Sequence, residues 1–410
     1  MAYQETTSTS YGSRVGNSIK SILAGIILFI GSTVLLWWNE GRTVKTSDAN
    51  EAAYEETVPV SDISVLNNQL NGKMIHANGE AITHDSLIDT QFGIGTTATK
   101  LIRQVEYFQW EEKSSTKKED KFGGREEKTT TYTYDKKWVA APINSSKFKD
   151  PSYTNKNFVV STIESETFTA SDVNFGAYKL PPFLISQISG VQDFYFTLPA
   201  DIKKSLNNQV KNALQLKGSI AEIAFQSNAE YVHVNGNTIY LGADPNIPHI
   251  GDVRITFSKV LPSNTVTVWA KVVNNTFEQF TCKNGYTVST LNMGTQSLDE
   301  TYQNEQQSNS TLAWILRLIG LVLVYIALRL IFELLTTILK VVPFIANIAD
   351  FGSTIVCGIV ALVWSLIIIA LAWIFYRPIL AILILVAVAA LIVFFVKKAK
   401  AKKANLSQNE

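Results

Sequence analysis

The sequence predicts a membrane protein with four α-helical transmembrane spans and a large β-rich α+β extracytoplasmic domain between spans 1 and 2. Three observations carry this. Four apolar runs, Ile19–Trp38, Leu312–Phe332, Ile355–Tyr376 and Ile379–Val396, each approach the ~20 residues that a helix needs to cross a ~30 Å hydrocarbon core. Residues 39–310 between the first two runs are polar and rich in alternating β-branched and aromatic positions. Charge is also segregated: residues 39–310 hold 25 Lys/Arg and 31 Asp/Glu, a net of −6, which leaves +7 on the membrane and terminal segments. An acidic soluble part argues against nucleic acid as a partner, and a basic membrane part points to lipid.

The elements follow in order. Residues 1–18 are rich in Ser and Thr and read as a disordered cytoplasmic arm. Span 1, residues 19–38, is longer than a signal-peptide core and ends in Trp37 and Trp38 rather than in small residues, so it reads as a retained signal anchor. The β-rich domain occupies 39–310. Strands are expected at Lys128–Val139, Asp252–Val260 and Thr265–Val273, and a hairpin over Tyr231–Leu241 turns at Asn235-Gly236. Ile202, Leu206, Val210 and Leu214 mark one helix over Ala200–Leu216. Glu111–Lys128 is a charged, glycine-bearing insert that reads as a solvated hairpin tip or loop. Residues 295–310 lack Pro and Gly after Gly294 and should run as helix into span 2, residues 311–332. Residues 333–350 are interrupted by Lys340, Pro343 and Asn347 and read as a cytoplasmic interfacial helix. Spans 3 and 4 occupy 351–376 and 378–396, and residues 397–410 form a basic cytoplasmic tail.

Orientation rests on Lys397, Lys398, Lys400, Lys402 and Lys403, because such flanks stay cytoplasmic. Both termini are then cytoplasmic, and the domain is lumenal or periplasmic. Trp37, Trp38, Trp314 and Trp373 fall at span ends that this topology puts at one outer interface, where indole rings prefer to sit. The five lysines are also expected to contact anionic lipid, at ~1 kcal/mol each. Gly25, Gly31, Gly352 and Gly358 offer close helix contacts.

The search for chemistry predicts no enzyme, no cofactor and no metal. His76, His84, His233 and His249 show no ligand spacing, Cys282 and Cys357 form no CxxC motif, and no GxSxG, phosphate loop or HExxH is present. His76–Ile82 echoes His233–Ile239, and only a structure that brought these segments together would support a hydrolase. Ionisable groups in span 2 are Arg317, Arg329 and Glu333; Arg329 and Glu333 are four apart and can pair on one helix face. These three support the alternative of a channel or transporter accessory subunit.

Five segments, in order, resemble the LUMA (transmembrane protein 43) family. They are Asn39-Glu40-Gly41-Arg42; Val105-Glu106-Tyr107-Phe108-Gln109-Trp110; Tyr132 and Tyr134 with Trp138; Asn246 to Pro248 with Gly251 to Ser258; and Phe375-Tyr376-Arg377-Pro378. The resemblance implies a multi-span, non-enzymatic membrane scaffold that self-associates. In eukaryotes it implies the endoplasmic reticulum and inner nuclear membrane, with lamin- and emerin-like partners; in bacteria it implies the cell inner membrane. The residues also read plainly as membrane-interface anchors. Gly41 can turn the chain after Trp38, Arg42 can reach lipid phosphate, and Arg377-Pro378 can form a tight outer turn with Pro378 opening the next helix.

Overall fold

The computed structural model describes residues 3–217, 226–339 and 343–378. Span 4, the lysine tail and their expected lipid contacts lie outside the described residues. The α-helices among the described residues are α1 (Tyr11–Glu55), α2 (Pro182–Ile185), α3 (Ala200–Lys217), α4 (Leu298–Leu339) and α5 (Pro343–Tyr376). The chain divides into two units. One comprises Met1–Thr7, Ala53–Lys117 and Lys128–Thr301, and the other Ser8–Ala52, Lys118–Glu127 and Tyr302–Glu410.

The first unit is built on two large sheets. In one, the strands run in the order Tyr3–Thr9, Glu126–Val139, Lys100–Asp120, Val253–Val260, Thr238–Leu241 and Val232–Asn235. Val253, Ile255 and Phe257 alternate onto its buried face, where α3 contributes Leu206, Val210 and Leu214. Period two meets period 3.6 there, and each fully buried large side chain contributes about 1.5–3 kcal/mol. In the other sheet, Met74–Thr83 lies antiparallel to Ser263–Val273, with Ser263 opposite Ile82 and Lys271 opposite Met74. Pairings through Val173–Phe175, Tyr178–Lys179 and Thr276–Glu278 connect these two strands again, so five strands close into a ring. Ile75, Ala77, Phe175, Tyr178, Val268 and Phe277 share its core with Leu184 and Ile185 of α2. The strand Val253–Val260 passes into Ser263–Val273 over a short turn, where Asn264 Nδ2 donates to the Leu261 carbonyl (2.6 Å) and the Thr99 hydroxyl (3.2 Å).

The expected strands, the Asn235-Gly236 hairpin and α3 all appear, with Gly236 at φ +62° as its turn requires. Three expectations are corrected. Residues 3–9 form an edge strand beside Glu126–Val139 rather than a disordered arm, with Gln4 Nε2 donating to the Thr131 hydroxyl (3.1 Å). Ser/Thr-rich sequence is poor at building a core, but its β-branched residues still add to an open sheet edge. The charged insert is the expected solvated hairpin tip, with 121–125 joining the ends of the strands Lys100–Asp120 and Glu126–Val139. Residues 333–350 are not a separate helix: 333–339 end α4 and 343–350 begin α5. Gly41 does not turn the chain, since α1 runs through it to Glu55.

In the second unit, α1 and α4 form one antiparallel pair. Contacts step along it from Ser18 with Thr337 (hydroxyls 2.9 Å apart), through Gly25 with Ala327 and Leu36 with Gly320, to Ser47, whose carbonyl accepts from Gln306 Nε2 (3.2 Å). At ~1.5 Å rise per residue, residues 18–47 extend about 44 Å. α5 packs antiparallel to α4 and parallel to α1, with Trp364 Nε1 donating to Thr33 Oγ1 (3.0 Å) and its ring 5.1 Å from Phe29. Leu36, Val324, Leu328, Cys357, Ala361 and Ile368 form the bundle core. α1, α4 and α5 each carry an apolar window long enough to cross a membrane, and Leu23, Ile27, Ile30, Leu318, Val322, Ile359 and Leu366 leave their side chains exposed along those windows. In water such rows would be costly; in a bilayer they are the lipid-facing surface. The expected glycine contacts hold at Gly25, where an added Cβ would lie 2.9 Å from the Ala327 carbonyl oxygen. At Gly31, Gly352 and Gly358 an added Cβ would meet nothing within 4 Å among the described residues, and Gly320 against Leu36 is a close approach that the sequence pattern did not single out.

Arg14 near the start of α1 lies 2.7 Å from Asp120 and 3.4 Å from Glu126, and donates to the Gly124 carbonyl (2.9 Å). The expected topology puts residues 1–18 and the hairpin tip on opposite sides of the bilayer. These ion pairs require one side, so the two arrangements exclude each other.

Candidate functional site at the end of the helical bundle

Where the apolar windows of α1 and α5 end and that of α4 begins, the bundle holds a polar cluster made by the first matching segment. Asn39, Glu40, Gly41 and Arg42 occupy slightly more than one turn of α1, so their side chains fan around the helix. Glu40 faces the bundle and accepts Arg317 Nε (2.6 Å) and Nη2 (2.7 Å) in a two-pronged pair, with the Glu40 side chain 2 % and the Arg317 side chain 13 % exposed. Trp373 Nε1 of α5 donates to the same carboxylate (2.8 Å), so one anion ties three helices. The Arg317 guanidinium also lies 4.8 Å from the Trp314 ring centre and 5.9 Å from that of Trp373. A buried ion pair needs its remaining donors and acceptors met, and here the indole N–H and two ring faces do so.

The other motif residues are engaged as closely. Asn39 Nδ2 donates to the Ala313 carbonyl (3.1 Å), and Arg42 Nη1 donates to Asn309 Oδ1 (3.0 Å), whose amide in turn donates to the Thr43 carbonyl (2.9 Å). Arg42 is thus turned onto α4 rather than toward lipid phosphate. Gly41 is needed for approach: an added Cβ would lie 2.6 Å from Tyr376 Cζ, and Tyr376 itself packs 6.0 Å from Trp37. Arg377 and Pro378 follow directly on α5, and the helix that Pro378 was expected to open lies outside the described residues. Beside the cluster is a half-open cavity of about 340 Å³, bounded by α1, α4 and α5.

Arg329 and Glu333 line a second cavity with Tyr325 and Lys118, and Arg329 Nη1 donates to Ser353 Oγ (2.5 Å). Arg317, grouped with them in the sequence reading, is instead the partner of Glu40. That pairing was legible in principle, since both residues stand at the same end of the apolar windows of two helices that a 39–310 insertion leaves antiparallel.

Three other matching segments converge within the first unit. Glu106 and Arg254 are register partners, with Arg254 Nη2 2.6 Å from the carboxylate and its guanidinium 4.5 Å from the Trp138 ring centre. Asp252 accepts the Tyr240 hydroxyl (2.5 Å) and the His249 backbone N–H (2.8 Å), while Gly242 leaves room for that carboxylate. Burial and the adjacent Asp252 charge hold the Tyr240 phenol protonated well above its ordinary range. Gly251 has φ +102° and abuts the Phe158 ring, a position closed to other residues. Asp252 and Tyr240 satisfy each other in this cluster, while the buried His249 Nδ1 and His233 Nε2 have no hydrogen-bond partner among the described residues. His76 and His233 lie in different sheets; His76 Nε2 is 3.2 Å from the Thr301 hydroxyl, and the His233 ring is 6.3 Å from that of Tyr240. The hydrolase option loses its premise. Among the described residues, no group of three His, Cys, Asp or Glu could hold a metal.

The family model described as Transmembrane protein 43 matches residues 107–378. Transmembrane protein 43 of Mus musculus is 29 % identical over 386 residues, covering 90 % of this chain and 88 % of that one. The Homo sapiens protein of the same name is 28 % identical with the same coverage, and a Transmembrane protein 43 homolog of Drosophila melanogaster is 25 % identical over 92 % of this chain and 94 % of its own. No solved structure matches the chain.

Proposed function

The chain belongs to the transmembrane protein 43 family, and from that premise we propose that it is a non-enzymatic integral membrane scaffold that organises the membrane through self-association and contacts with other membrane proteins. The observation that carries this is the Glu40–Arg317–Trp373 clamp, whose one carboxylate ties three membrane helices. A buried, two-pronged ion pair of this kind, stacked on two indole rings, supports a rigid mount rather than a conduction path. Charges poised for transport would face a water-filled route, whereas Arg317 is neutralised and stacked. The channel-subunit alternative is therefore disfavoured.

The finer reading is a four-span chain with residues 39–310 outside and both termini cytoplasmic; it is supported by the five lysines after residue 396 and requires the Arg14 pairs with Asp120 and Glu126 to be broken in the bilayer. Those lysines bind the anionic cytoplasmic leaflet. In a eukaryotic host the scaffold sits in the endoplasmic reticulum and inner nuclear membrane with lamin- and emerin-like partners, and in a bacterium in the inner membrane. Proximity labelling from native membranes, with cross-linking of the intact chain, tests it. Recovery of the chain's own copies and a reproducible set of membrane neighbours is expected. A monomer with no enriched neighbour, or ion flux in liposomes abolished by Arg329→Gln, overturns it.

A further inference from the structure

The cavity beside the Glu40–Arg317 clamp has the chemistry of a ligand site rather than of a packing flaw. One wall is polar, with Ser47, Gln306 and Asn309. The opposite wall is apolar, with Leu366 and Ile369 of α5. Arg377 completes the rim, half-buried, and among the described residues its guanidinium makes no hydrogen bond or ion pair. Arg317 also lines the cavity, but both its bonds go to Glu40, so its charge is spent. Among the described residues, no carboxylate lines the cavity. Within that set the site presents one uncompensated cation, polar donors on one side and hydrocarbon on the other.

Its position completes the argument. The apolar window of α1 ends at Trp38 and that of α4 begins at Leu312, and Arg377 directly follows α5, so the cavity straddles the boundary between hydrocarbon and headgroups. Leu366 is 55 % and Trp314 66 % exposed, so the walls nearest the apolar window open sideways toward lipid. We propose that this cavity binds one glycerophospholipid, its phosphate on Arg377, its polar head against Asn309 and Gln306, and an acyl chain along Leu366 and Ile369. A head with net negative charge is preferred over a choline head, because the carboxylate beside the cavity, Glu40, is already held by Arg317 and Trp373.

The test uses the full-length chain in neutral detergent micelles, with native mass spectrometry for retained lipid and energy transfer from tryptophan to dansyl-phosphatidylglycerol for binding. Phosphatidylglycerol should be retained over phosphatidylcholine, and Arg377→Gln should weaken it about tenfold, the order expected for one charge-assisted hydrogen bond. Ile369→Trp, which fills the apolar wall and leaves every charge in place, should displace both lipids. Unchanged thermal unfolding of each variant shows that the fold is kept. Millimolar inorganic phosphate should not compete. Displacement by phosphate alone would show a free-anion site and overturn the lipid, and retention insensitive to both variants would overturn the cavity.

Discussion

Glu40→Leu removes the anion but leaves the Arg317 guanidinium, 13 % exposed, without a counter-charge. For charges ~4 Å apart the attraction lost is about 4 kcal/mol at an effective dielectric near 20. Breaking a buried pair by removing one partner costs about 3–5 kcal/mol in all. Trp373 Nε1, 2.8 Å from the lost carboxylate, is orphaned as well. Arg317→Leu alone leaves the buried carboxylate and should cost a similar amount. The double variant Glu40→Leu/Arg317→Leu replaces the pair with apolar groups in an apolar bundle and should recover most of the loss, because desolvation of both ions is then avoided. The coupling energy in the cycle is expected at about 2–4 kcal/mol. Reversible unfolding of the full chain in mixed micelles, followed by tryptophan fluorescence, measures it, since Trp314 and Trp373 report on the site directly. A single-variant cost below about 1 kcal/mol, or a double variant that loses the sum of the singles, would refute the clamp.

Three further outcomes are expected. Gly41→Val drives a side chain into the Tyr376 ring, whose Cζ would lie 2.6 Å from the new Cβ, and should destabilise the bundle by about 1–3 kcal/mol in the same unfolding assay, with Tyr376→Ala restoring part of it. Burial lowers the His76 pKa, so the folded state holds it neutral while the unfolded chain takes up a proton below about 6.5. Its contribution is present in full above that value and is lost as pH falls toward the folded value; the drop in melting temperature on acidification should shrink in His76→Gln. For topology, thiols at Glu126 and Ala401 should label from opposite sides, because a polar hairpin with a free edge does not pass through hydrocarbon. Labelling of both from the same side would keep the Arg14–Glu126 pair, 3.4 Å in the structure, and sink the charge and tryptophan argument.

Much of the architecture was legible in local pattern. Val253, Ile255 and Phe257 announce a strand with one buried face, and Ile202, Leu206, Val210 and Leu214 a helix, because periods of 2 and 3.6 project apolar groups onto one side. Three described helices carry the apolar windows for the same reason that they were found: length and hydropathy are sums over consecutive residues. The path of the chain at Gly41 was not legible, since a glycine at a membrane boundary serves equally for a turn or for close contact, and only the Tyr376 ring from a helix more than three hundred residues away in sequence decides between them. The same holds for the terminal arm, whose strand exists only because Glu126–Val139 offers it an edge. Hydropathy alone made Glu40 an interface residue and Arg317 a candidate transport charge. Their pairing, with the Trp373 indole on the same carboxylate, belongs to tertiary structure, because the worth of a buried charge is set by partners that sequence distance does not reveal.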